Sequence, residues 1–512
     1  MVNGFPRRYT MMVGQSRRCA SSTAAARGAG RDPDDFARGE QMRVALVNTN
    51  RIYPPVAPIG LDYVAEMLLA SGHRPEILDL CWEERWEPAI ARFLANGEFG
   101  LVGVTVRNTD DCSFATRESF LPDLAAITRS LREHTGAPIV LGGVGFSVMP
   151  EAVIAQCGAD TGIRGEGEFA LAELAGRIES RRPWNDLPGL LARRAGTWHR
   201  NPGVFRPLAD LPPMGRGFLD NRRYFREGGQ AGIETKRGCP RKCIYCADPL
   251  AKGSTVRVRP PQAVADELSR LVGMGIDHVH TCDSEFNIPE DHALAVCREI
   301  VRRGLGGRLR WYAYCAPLPF TAELADLMRR AGCAGINFGT DSGDDRMLGL
   351  LGRDFRAEDI LRTVRLCREA GITVMLDLLI GAPGETRDSV VRTVEVMKEA
   401  NPDRAGVAVG VRVYPGTALA SLVGEGDRGK GLLGGDDLAK PVFFLEPEVA
   451  PFIFDLLEEL TRGDSRFLFF DPTKPEKNYN YNANQVLVDA IRAGHRGAYW
   501  DILRQVAQSR SG

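Results

Sequence analysis

Residues 234–248 read Glu234-Thr-Lys-Arg-Gly-Cys-Pro-Arg-Lys-Cys-Ile-Tyr-Cys-Ala-Asp248. Cys239, Cys243 and Cys246 follow C-x3-C-x2-C spacing on a loop after a strand-like stretch. Thiolates are the usual ligands of iron–sulfur clusters, and three of them can hold three irons of a four-iron cluster. The fourth iron is then open to a small molecule, so this spacing predicts a reaction centre and not only an electron relay.

Two other uses of these cysteines fit less well. A structural zinc site needs four closed ligands, usually in two pairs, and no further Cys or His follows closely enough to complete one. A disulfide framework is typical of short secreted chains, whereas this chain has 512 residues and scatters its other cysteines.

The run resembles the signature of the radical S-adenosylmethionine (SAM) superfamily, in which an aromatic residue precedes the last cysteine. Here that residue is Tyr245. The resemblance implies a [4Fe-4S] cluster whose open iron binds the amino and carboxylate groups of SAM. One electron then cleaves the sulfonium to give a 5'-deoxyadenosyl radical, and Tyr245 lies against the adenine.

Composition bounds the remaining possibilities. A net charge of −1 argues against a nucleic-acid partner. No run approaches the ~20 apolar residues that span a bilayer, so no membrane role is expected. Twelve cysteines without a signal peptide indicate a cytoplasmic protein. Residues 1–41 are rich in Arg, Ser, Ala and Gly, which resembles a transit peptide. A disordered extension or an incorrectly assigned start fits the rest of the chain better.

Strands and helices alternate from Met42 onwards, which predicts an α/β fold with a doubly wound parallel sheet over residues 42–180. Ligands of such sheets bind at the carboxyl ends of the strands. The loops at these ends resemble the cobalamin-binding domain that precedes the catalytic domain in one class of radical SAM enzymes. The residues that the resemblance assigns to cobalamin are Arg51, Arg107, Gly142, Gly143 and Glu166.

The D-x-H-x-x-G motif, which supplies a histidine to cobalt in other cobalamin proteins, is absent. His73 lies before a strand and is expected to be a satisfied or surface histidine. Arg51 or Arg107 could approach the lower face of cobalamin, where a cation would discourage a ligand below cobalt. The alternative is that each arginine makes an ordinary loop contact.

Residues 181–229 are predicted to be a linker, and residues 230–425 a partial (β/α)6 barrel like that of the superfamily. A full eight-stranded barrel needs more chain. Residues 426–512 are predicted to form a small, mostly helical domain that caps the barrel mouth and selects the substrate. This region contains no Cys, so a second cluster is not expected.

Polar residues follow the predicted barrel strands. Asp283 and Ser284 lie where relatives grip the methionine amino group, and Glu285 could instead cap the open iron or be a rim acid. Tyr312 and Tyr314 share one face of a strand. If that face is the lumen, either tyrosine can donate a proton or a hydrogen bond; if it is the outer face, both pack on helices.

Two further strand ends resemble the SAM-binding motifs of the superfamily. Asp341 and Ser342 replace the usual Glu-Ser and could bind the ribose hydroxyls, although Asp341 is the shorter acid. Arg412 could pair bidentately with the SAM carboxylate. The direction of its side chain cannot be read from the sequence.

The resemblance implies a cobalamin-dependent radical SAM methyltransferase. Its cofactors would be a [4Fe-4S] cluster, SAM and cobalamin, and its substrate a small or carrier-bound natural-product precursor methylated at an unactivated carbon. Methylation of tryptophan type, without hydrogen abstraction, is a variant that Glu285 on the iron would favour. Cyclisation, ring contraction or rearrangement without methyl transfer is the alternative, and a non-catalytic sensor is a third class. Flavodoxin or ferredoxin is the expected electron donor.

Overall fold

The computed structural model describes residues 41–194, 196–424, 426–470 and 480–511. The extension expected over residues 1–41 lies outside this range except for Gln41. Among the described residues, no helix combines the length and the apolar character needed to cross a membrane.

A seven-stranded sheet forms the core of the first α/β unit. Its strands are β1 (Arg43–Asn48), β2 (Arg74–Asp79), β3 (Leu101–Thr105), β4 (Ile139–Gly142), β5 (Thr161–Ile163), β6 (Leu190–Arg194) and β7 (Thr197–Arg200). They lie in the order β2-β1-β3-β4-β5-β6-β7. The pairs from β2 to β5 are parallel, and β6 and β7 continue the sheet antiparallel.

Helices cover both faces of this sheet, which explains why its strands are almost continuously apolar. They are α1 (Ile59–Ala70), α2 (Trp86–Leu94), α3 (Leu121–His134), α4 (Val144–Val148), α5 (Pro150–Cys157) and α6 (Gly167–Glu179). Helices α1 and α6 bury Leu68 and Leu174 on one face, and α2 and α3 bury Ile90 and Ile127 on the other. The predicted doubly wound sheet is confirmed.

The range predicted to be a linker contains regular structure. Strands β6 and β7 extend the first sheet, and β6 buries Leu190, Leu191 and Ala192. The surrounding Arg, Pro and Gly residues give this range a linker-like composition, which hides a three-residue apolar stretch that pairs with β5.

The second unit repeats strand and helix. Its elements are α7 (Asn221–Gly228), β8 (Ala231–Ile233), β9 (Lys236–Arg237), α8 (Asp248–Lys252), β10 (Arg257–Val258), α9 (Pro261–Gly273), β11 (His278–Thr281), α10 (Glu290–Arg302), β12 (Arg310–Cys315), α11 (Ala322–Arg330), β13 (Cys333–Asp341), α12 (Asp345–Leu350), α13 (Ala357–Ala370), β14 (Thr373–Ile380), α14 (Arg387–Ala400), β15 (Arg404–Val409), β16 (Val411–Arg412) and α15 (Ala418–Val423).

The remaining elements are mostly helical. They are β17 (Leu432–Leu433), β18 (Phe443–Phe444), α16 (Ile453–Thr461), β19 (Phe467–Phe469), α17 (Gln485–Arg492) and α18 (Tyr499–Ser511). The parallel sheet of the second unit runs β8-β11-β12-β13-β14-β15-β19. It is therefore an open barrel with seven strands. The sequence predicts six, because β19 is only three residues long and lies outside the strand–helix repeat.

Buried charges join the two units. Arg216 lies 3.6 Å (Nε) from Asp62 Oδ2 and 3.3 Å (Nη1) from Glu267 Oε1. Arg259 Nη1 donates to the other Glu267 oxygen at 2.7 Å, and the Tyr63 hydroxyl donates to Glu267 Oε1 at 2.9 Å. Asp62 and Tyr63 belong to α1 of the first unit and Glu267 to α9 of the second, so this network fixes one unit against the other.

We expect Arg216→Met to destabilise the protein by about 3–5 kcal/mol, because it leaves the buried Asp62 carboxylate without its cation and Glu267 with Arg259 alone. The midpoint of urea unfolding measures the change. The matched control is Arg85→Met, which removes an exposed arginine and should change stability by no more than about 0.5 kcal/mol. Equal midpoints for the two variants would show that the network is not what holds the units together.

Candidate active site

The three cysteines lie on the loop between β9 and α8, and all three are free thiols. Backbone hydrogen bonds hold the loop in place: Cys239 N donates to Gly253 O at 3.3 Å and Ile244 N to Leu351 O at 3.1 Å. Burial, Asp248 and the other two thiols raise the pKa of Cys246 to about 12, so the three sulfurs lie near one another.

The donor set of this loop fits an iron–sulfur cluster. Three unpaired thiols on one hydrogen-bonded loop can hold three irons of a [4Fe-4S] cluster. Cys239, Cys243 and Cys246 would hold it.

Four side chains surround the cluster loop. The Tyr245 hydroxyl donates to Asp341 Oδ2 at 2.7 Å. Arg353 lies between Asp341 and Glu285, with its Nε 3.3 Å from Asp341 Oδ2 and its Nη2 3.9 Å from Glu285 Oε1. Burial raises the pKa of Glu285 to about 7, although the positive charges of Arg353, Arg241 and Lys236 oppose that shift. Glu285 is thus a buried acid beside the cluster loop.

The two candidate tyrosines differ in their access to the lumen of the barrel. Tyr314 is 44% exposed to open space, and its ring centroid lies 4.9 Å from that of His280. Tyr312 is buried, and its hydroxyl donates to Asp501 of α18 at 2.8 Å. Both face inwards, but α18 covers Tyr312, so Tyr314 alone of this pair is open to a ligand.

A second acid, the partly buried Asp377, lines the lumen beside Tyr314. Asn337 Nδ2 donates to Asp377 Oδ2 at 3.2 Å, and Trp500 Nε1 donates to Asn337 Oδ1 at 2.5 Å. Burial raises the pKa of Asp377 to about 7, with smaller contributions from Asp341 and Glu285. The sequence analysis missed Asp377, although its place on a barrel strand two residues before Leu379 is a usable signal.

A large open cleft lies between the two units, at the carboxyl ends of both parallel sheets. Its void space is about 1380 Å³. The first unit contributes Arg107, Gly142, Gly143 and Glu166, all four predicted to bind cobalamin, and the second unit contributes residues such as Cys282. A ligand in this cleft therefore contacts both units.

The cleft fits a bulky ligand with an apolar tail. Gly143 has φ +98°, and a Cβ there would lie 2.7 Å from Val106 O, so only glycine allows this turn. Leu46, Gly103 and Leu171 line an apolar slot between the sheet and the helices α1 and α6. Arg107 Nη1 is buried in this region without a hydrogen-bond partner. These features suit cobalamin, which would supply the methyl-carrying cobalt when bound.

The two arginines predicted for the lower face of cobalamin lie in different places. Arg107 lines the cleft. Arg51 is exposed, and its Nη2 donates to Glu83 O and Glu84 O at 3.2 and 3.3 Å. Arg51 is not among the residues that line the cleft, because the loop after β1 directs its side chain towards the start of α2. His73 is buried 3.8 Å from Glu179, in keeping with a structural histidine.

Several residues predicted to bind SAM make internal contacts. Asp283 accepts hydrogen bonds from Thr235 N at 2.8 Å and from Lys236 N at 3.2 Å, which fixes the strand that leads into the cluster loop. Ser284 donates to Asp248 at 2.5 Å, and Ser342 lies 2.9 Å from the Thr393 hydroxyl. Their SAM-binding roles stay predictions.

Arg412 makes an ion pair between the two units. Its Nη2 donates to Asp110 Oδ2 at 2.9 Å, and its Nη1 donates to Val413 O at 2.6 Å. Glu166, which is predicted to bind cobalamin, is also paired and lies 2.6 Å from Arg257 Nη1. Arg412 would have to release Asp110 before it could bind the SAM carboxylate, so that role remains a prediction.

Comparisons with known proteins agree with this geometry. The family model of the radical SAM superfamily matches residues 233–397, and that of the B12 binding domain matches residues 45–175. Tryptophan 2-C-methyltransferase of Streptomyces laurentii is 34% identical over 447 residues, which cover 75% of this chain and 74% of that enzyme. An uncharacterised methyltransferase of Pyrococcus horikoshii is 27% identical over 71% of this chain and 77% of its own length.

Solved structures extend the likeness to nearly the whole chain. The radical SAM methyltransferase TsrM of Kitasatospora setae, with tryptophan and a SAM analogue bound, superposes with a TM-score of 0.83 at 30% identity. The match covers 92% of this chain and 100% of that one. The same enzyme with cobalamin and a [4Fe-4S] cluster gives a TM-score of 0.81.

The fold and the site thus define a radical SAM enzyme with a cobalamin-binding domain. The chain belongs to the cobalamin-dependent radical SAM methyltransferases. Its cofactors are a [4Fe-4S] cluster, SAM and cobalamin, and it transfers a methyl group to carbon. Methyl transfer is confirmed over the cyclisation and rearrangement alternative.

The cluster ligands can be tested one at a time. We expect Cys239→Ala, Cys243→Ala and Cys246→Ala each to lose the cluster, because each removes one of the three thiolates available on this loop. Cys297→Ala is the control, since Cys297 is buried in the barrel core. Iron and sulfide per chain after anaerobic reconstitution measure the effect. Full iron content in any of the three loop variants would contradict the assignment.

The raised pKa of the partly buried Asp377 predicts a pH dependence of stability. The folded protein holds its proton up to about pH 7, whereas an unfolded chain releases it near pH 3.9. Below pH 3.9 both states hold this proton, so Asp377 does not change the free energy of unfolding. As the pH rises towards 7 only the unfolded chain releases the proton, and the free energy of unfolding falls. Relative to Asp377→Asn, the apoprotein should lose unfolding free energy between about pH 4 and 7 in urea titrations. Exposed Asp436→Asn is the control, and its profile should follow that of the unaltered protein.

Proposed function

We propose that the enzyme methylates a ring carbon of tryptophan or of a closely related indole, without abstracting a hydrogen atom from it. The observation that carries the proposal is Glu285, an acid 8% exposed that lies beside the cluster loop. A carboxylate there is placed to occupy the open iron. SAM would then be excluded from the position at which the cluster cleaves it reductively.

The surroundings of Glu285 support this role. It lies four residues after the end of β11, and its charge acts on the Cys239 thiol as well as on Arg353. A buried acid needs a charged partner or a metal to remain ionised. Arg353 lies 3.9 Å away and compensates the charge of Glu285 only in part. An iron within reach would supply the remaining positive charge.

The lumen supports a planar aromatic substrate. Tyr314 projects into open space, and the rings of Tyr481 and Tyr499 lie 5.5 Å apart on the segment 480–511. Both tyrosines act electrostatically on Arg107, and Tyr481 also acts on Tyr314. The C-terminal region would thus supply an aromatic wall to the space between cobalamin and the barrel. The tryptophan bound in the TsrM structure agrees with such a site.

Tyr314 is the proposed hydrogen-bond acceptor for an indole N–H, because burial raises the pKa of its phenol and keeps it protonated. Burial lowers the pKa of His280 to about 4, so the ring beside Tyr314 is neutral near pH 7. Among the acids, Asp377 has the largest electrostatic effect on Tyr314. Its carboxylate, whose pKa lies near 7, is the group proposed to take the proton that the indole releases.

We also propose an electron-carrier partner and a cytoplasmic location. A small electron carrier such as flavodoxin or ferredoxin would supply single electrons to the cofactors. A reducing cytoplasm is consistent with the thiols, since all eleven cysteines within the described part of the chain are unpaired.

Product counts test the proposal. Reconstituted enzyme with cobalamin, SAM, tryptophan and reductant should form one S-adenosylhomocysteine for each methyl transferred. It should form no 5'-deoxyadenosine above the Cys239→Ala control. One 5'-deoxyadenosine per methyl would instead favour hydrogen abstraction, and no methylated tryptophan would refute the substrate.

Tyr314→Phe should lower the rate of methyl transfer by at least about 100-fold, because it removes the group proposed to hold the indole proton. Tyr312→Phe is the matched control on the same strand. It breaks the contact with Asp501 and should lower stability while it keeps most of the turnover. Equal losses of turnover in the two variants would contradict the proposed role of Tyr314 at the indole N–H.

A further inference from the structure

Arg353 makes a contact that no predicted role uses. Its Nη1 lies 2.9 Å from the Sγ of Cys243, one of the three cluster thiols. The same guanidinium reaches Asp341 at 3.3 Å and Glu285 at 3.9 Å, and Nη2 also donates to Gly339 O. One buried side chain therefore touches a cluster sulfur, the acid proposed for the open iron and the acid proposed for the ribose.

The backbone fixes this position. Leu351 O accepts the hydrogen bond from Ile244 N of the cluster loop, and Arg353 N donates to Leu348 O at 2.8 Å. Gly352 has φ +76°, and a Cβ there would lie 2.5 Å from Lys242 O. Segment 351–353 thus packs directly on the cluster loop, and Gly352 is what permits that approach.

Arg353 differs from the other arginine near the cluster. Arg241 lies within the cysteine loop, but its guanidinium pairs with Asp354 and donates to Leu318 O. The Arg353 side chain is 3% exposed, and its planar fork presents several donors at once. Phe355 lies under the guanidinium, 4.9 Å from it, which limits its rotation.

We propose that Arg353 is a positioning residue of the cluster that donates a hydrogen bond to the Cys243 sulfur and raises the reduction potential of the cluster. Reduction adds one electron to the cluster. A fixed positive charge and a donor on a ligand sulfur both stabilise the reduced form, and hydrogen bonds to sulfur are among the factors that set such potentials. The same cation holds Glu285 and Asp341 on either side.

A purely structural role makes a different prediction. If Arg353 only neutralises Glu285 and Asp341, its loss would lower stability or cluster loading but leave the potential of a loaded cluster unchanged. A mediated redox titration with dithionite, followed by the electron paramagnetic resonance signal of the reduced cluster, separates these cases. It uses the reconstituted full-length enzyme without substrate.

At the midpoint potential of the unaltered enzyme, Arg353→Met should show a ratio of reduced to oxidised cluster about tenfold lower. Arg353→Lys keeps the charge but not the fork, so its ratio should lie between the two. Arg365→Met is the control, since Arg365 is exposed on α13, and its ratio should not change. Iron per chain is measured in every sample.

An unchanged midpoint and signal shape in an iron-loaded Arg353→Met enzyme would overturn the proposal. If that variant does not load iron, Arg353→Lys decides: an intermediate midpoint supports the proposal, and the unaltered midpoint refutes it. The titration needs no tryptophan. A failure to methylate tryptophan would therefore refute the proposed substrate without affecting the role of Arg353.

Discussion

The structure depends on the buried ion network that joins the two α/β units. Asp62 on α1 and Glu267 on α9 share the cation of Arg216, and none of the three side chains is exposed to solvent. Burying such charges costs free energy, which their mutual attraction offsets only when the pairing geometry is favourable. The network therefore sets the relative position of the two sheets. Their carboxyl ends then enclose the open cleft and bring Arg107 of the first unit towards Tyr314 of the second.

The parts of the site that are continuous in sequence were predictable. The three cysteines follow one another on a single loop, and a parallel sheet places polar residues after its strands at one edge. The fold class, the cofactors and the methyl transfer followed from these patterns. Tyr312 and Tyr314 were correctly placed on one face, but the choice between them depended on Asp501, which lies nearly two hundred residues away.

Contacts between distant segments were not predictable. Arg412 pairs with Asp110, which lies 302 residues away in the sequence, and no local sequence pattern predicts that pairing. Arg353 follows the predicted Asp341 and Ser342 in the chain, yet its contact with Cys243 depends on the turn at Gly352 and on the packing of that turn against the cluster loop. The strand β6 was hidden by its polar surroundings, and β19 by its length.

The central claim is that three protein sulfurs hold the cluster and leave one iron different from the rest. Mössbauer spectroscopy of anaerobically reconstituted enzyme, enriched in ⁵⁷Fe, tests this most directly. The spectrum should contain a four-iron cluster in which one iron site is distinct from the other three because it carries a ligand that is not cysteine. A spectrum with four equivalent cysteine-ligated sites, or without a four-iron cluster, would contradict the claim.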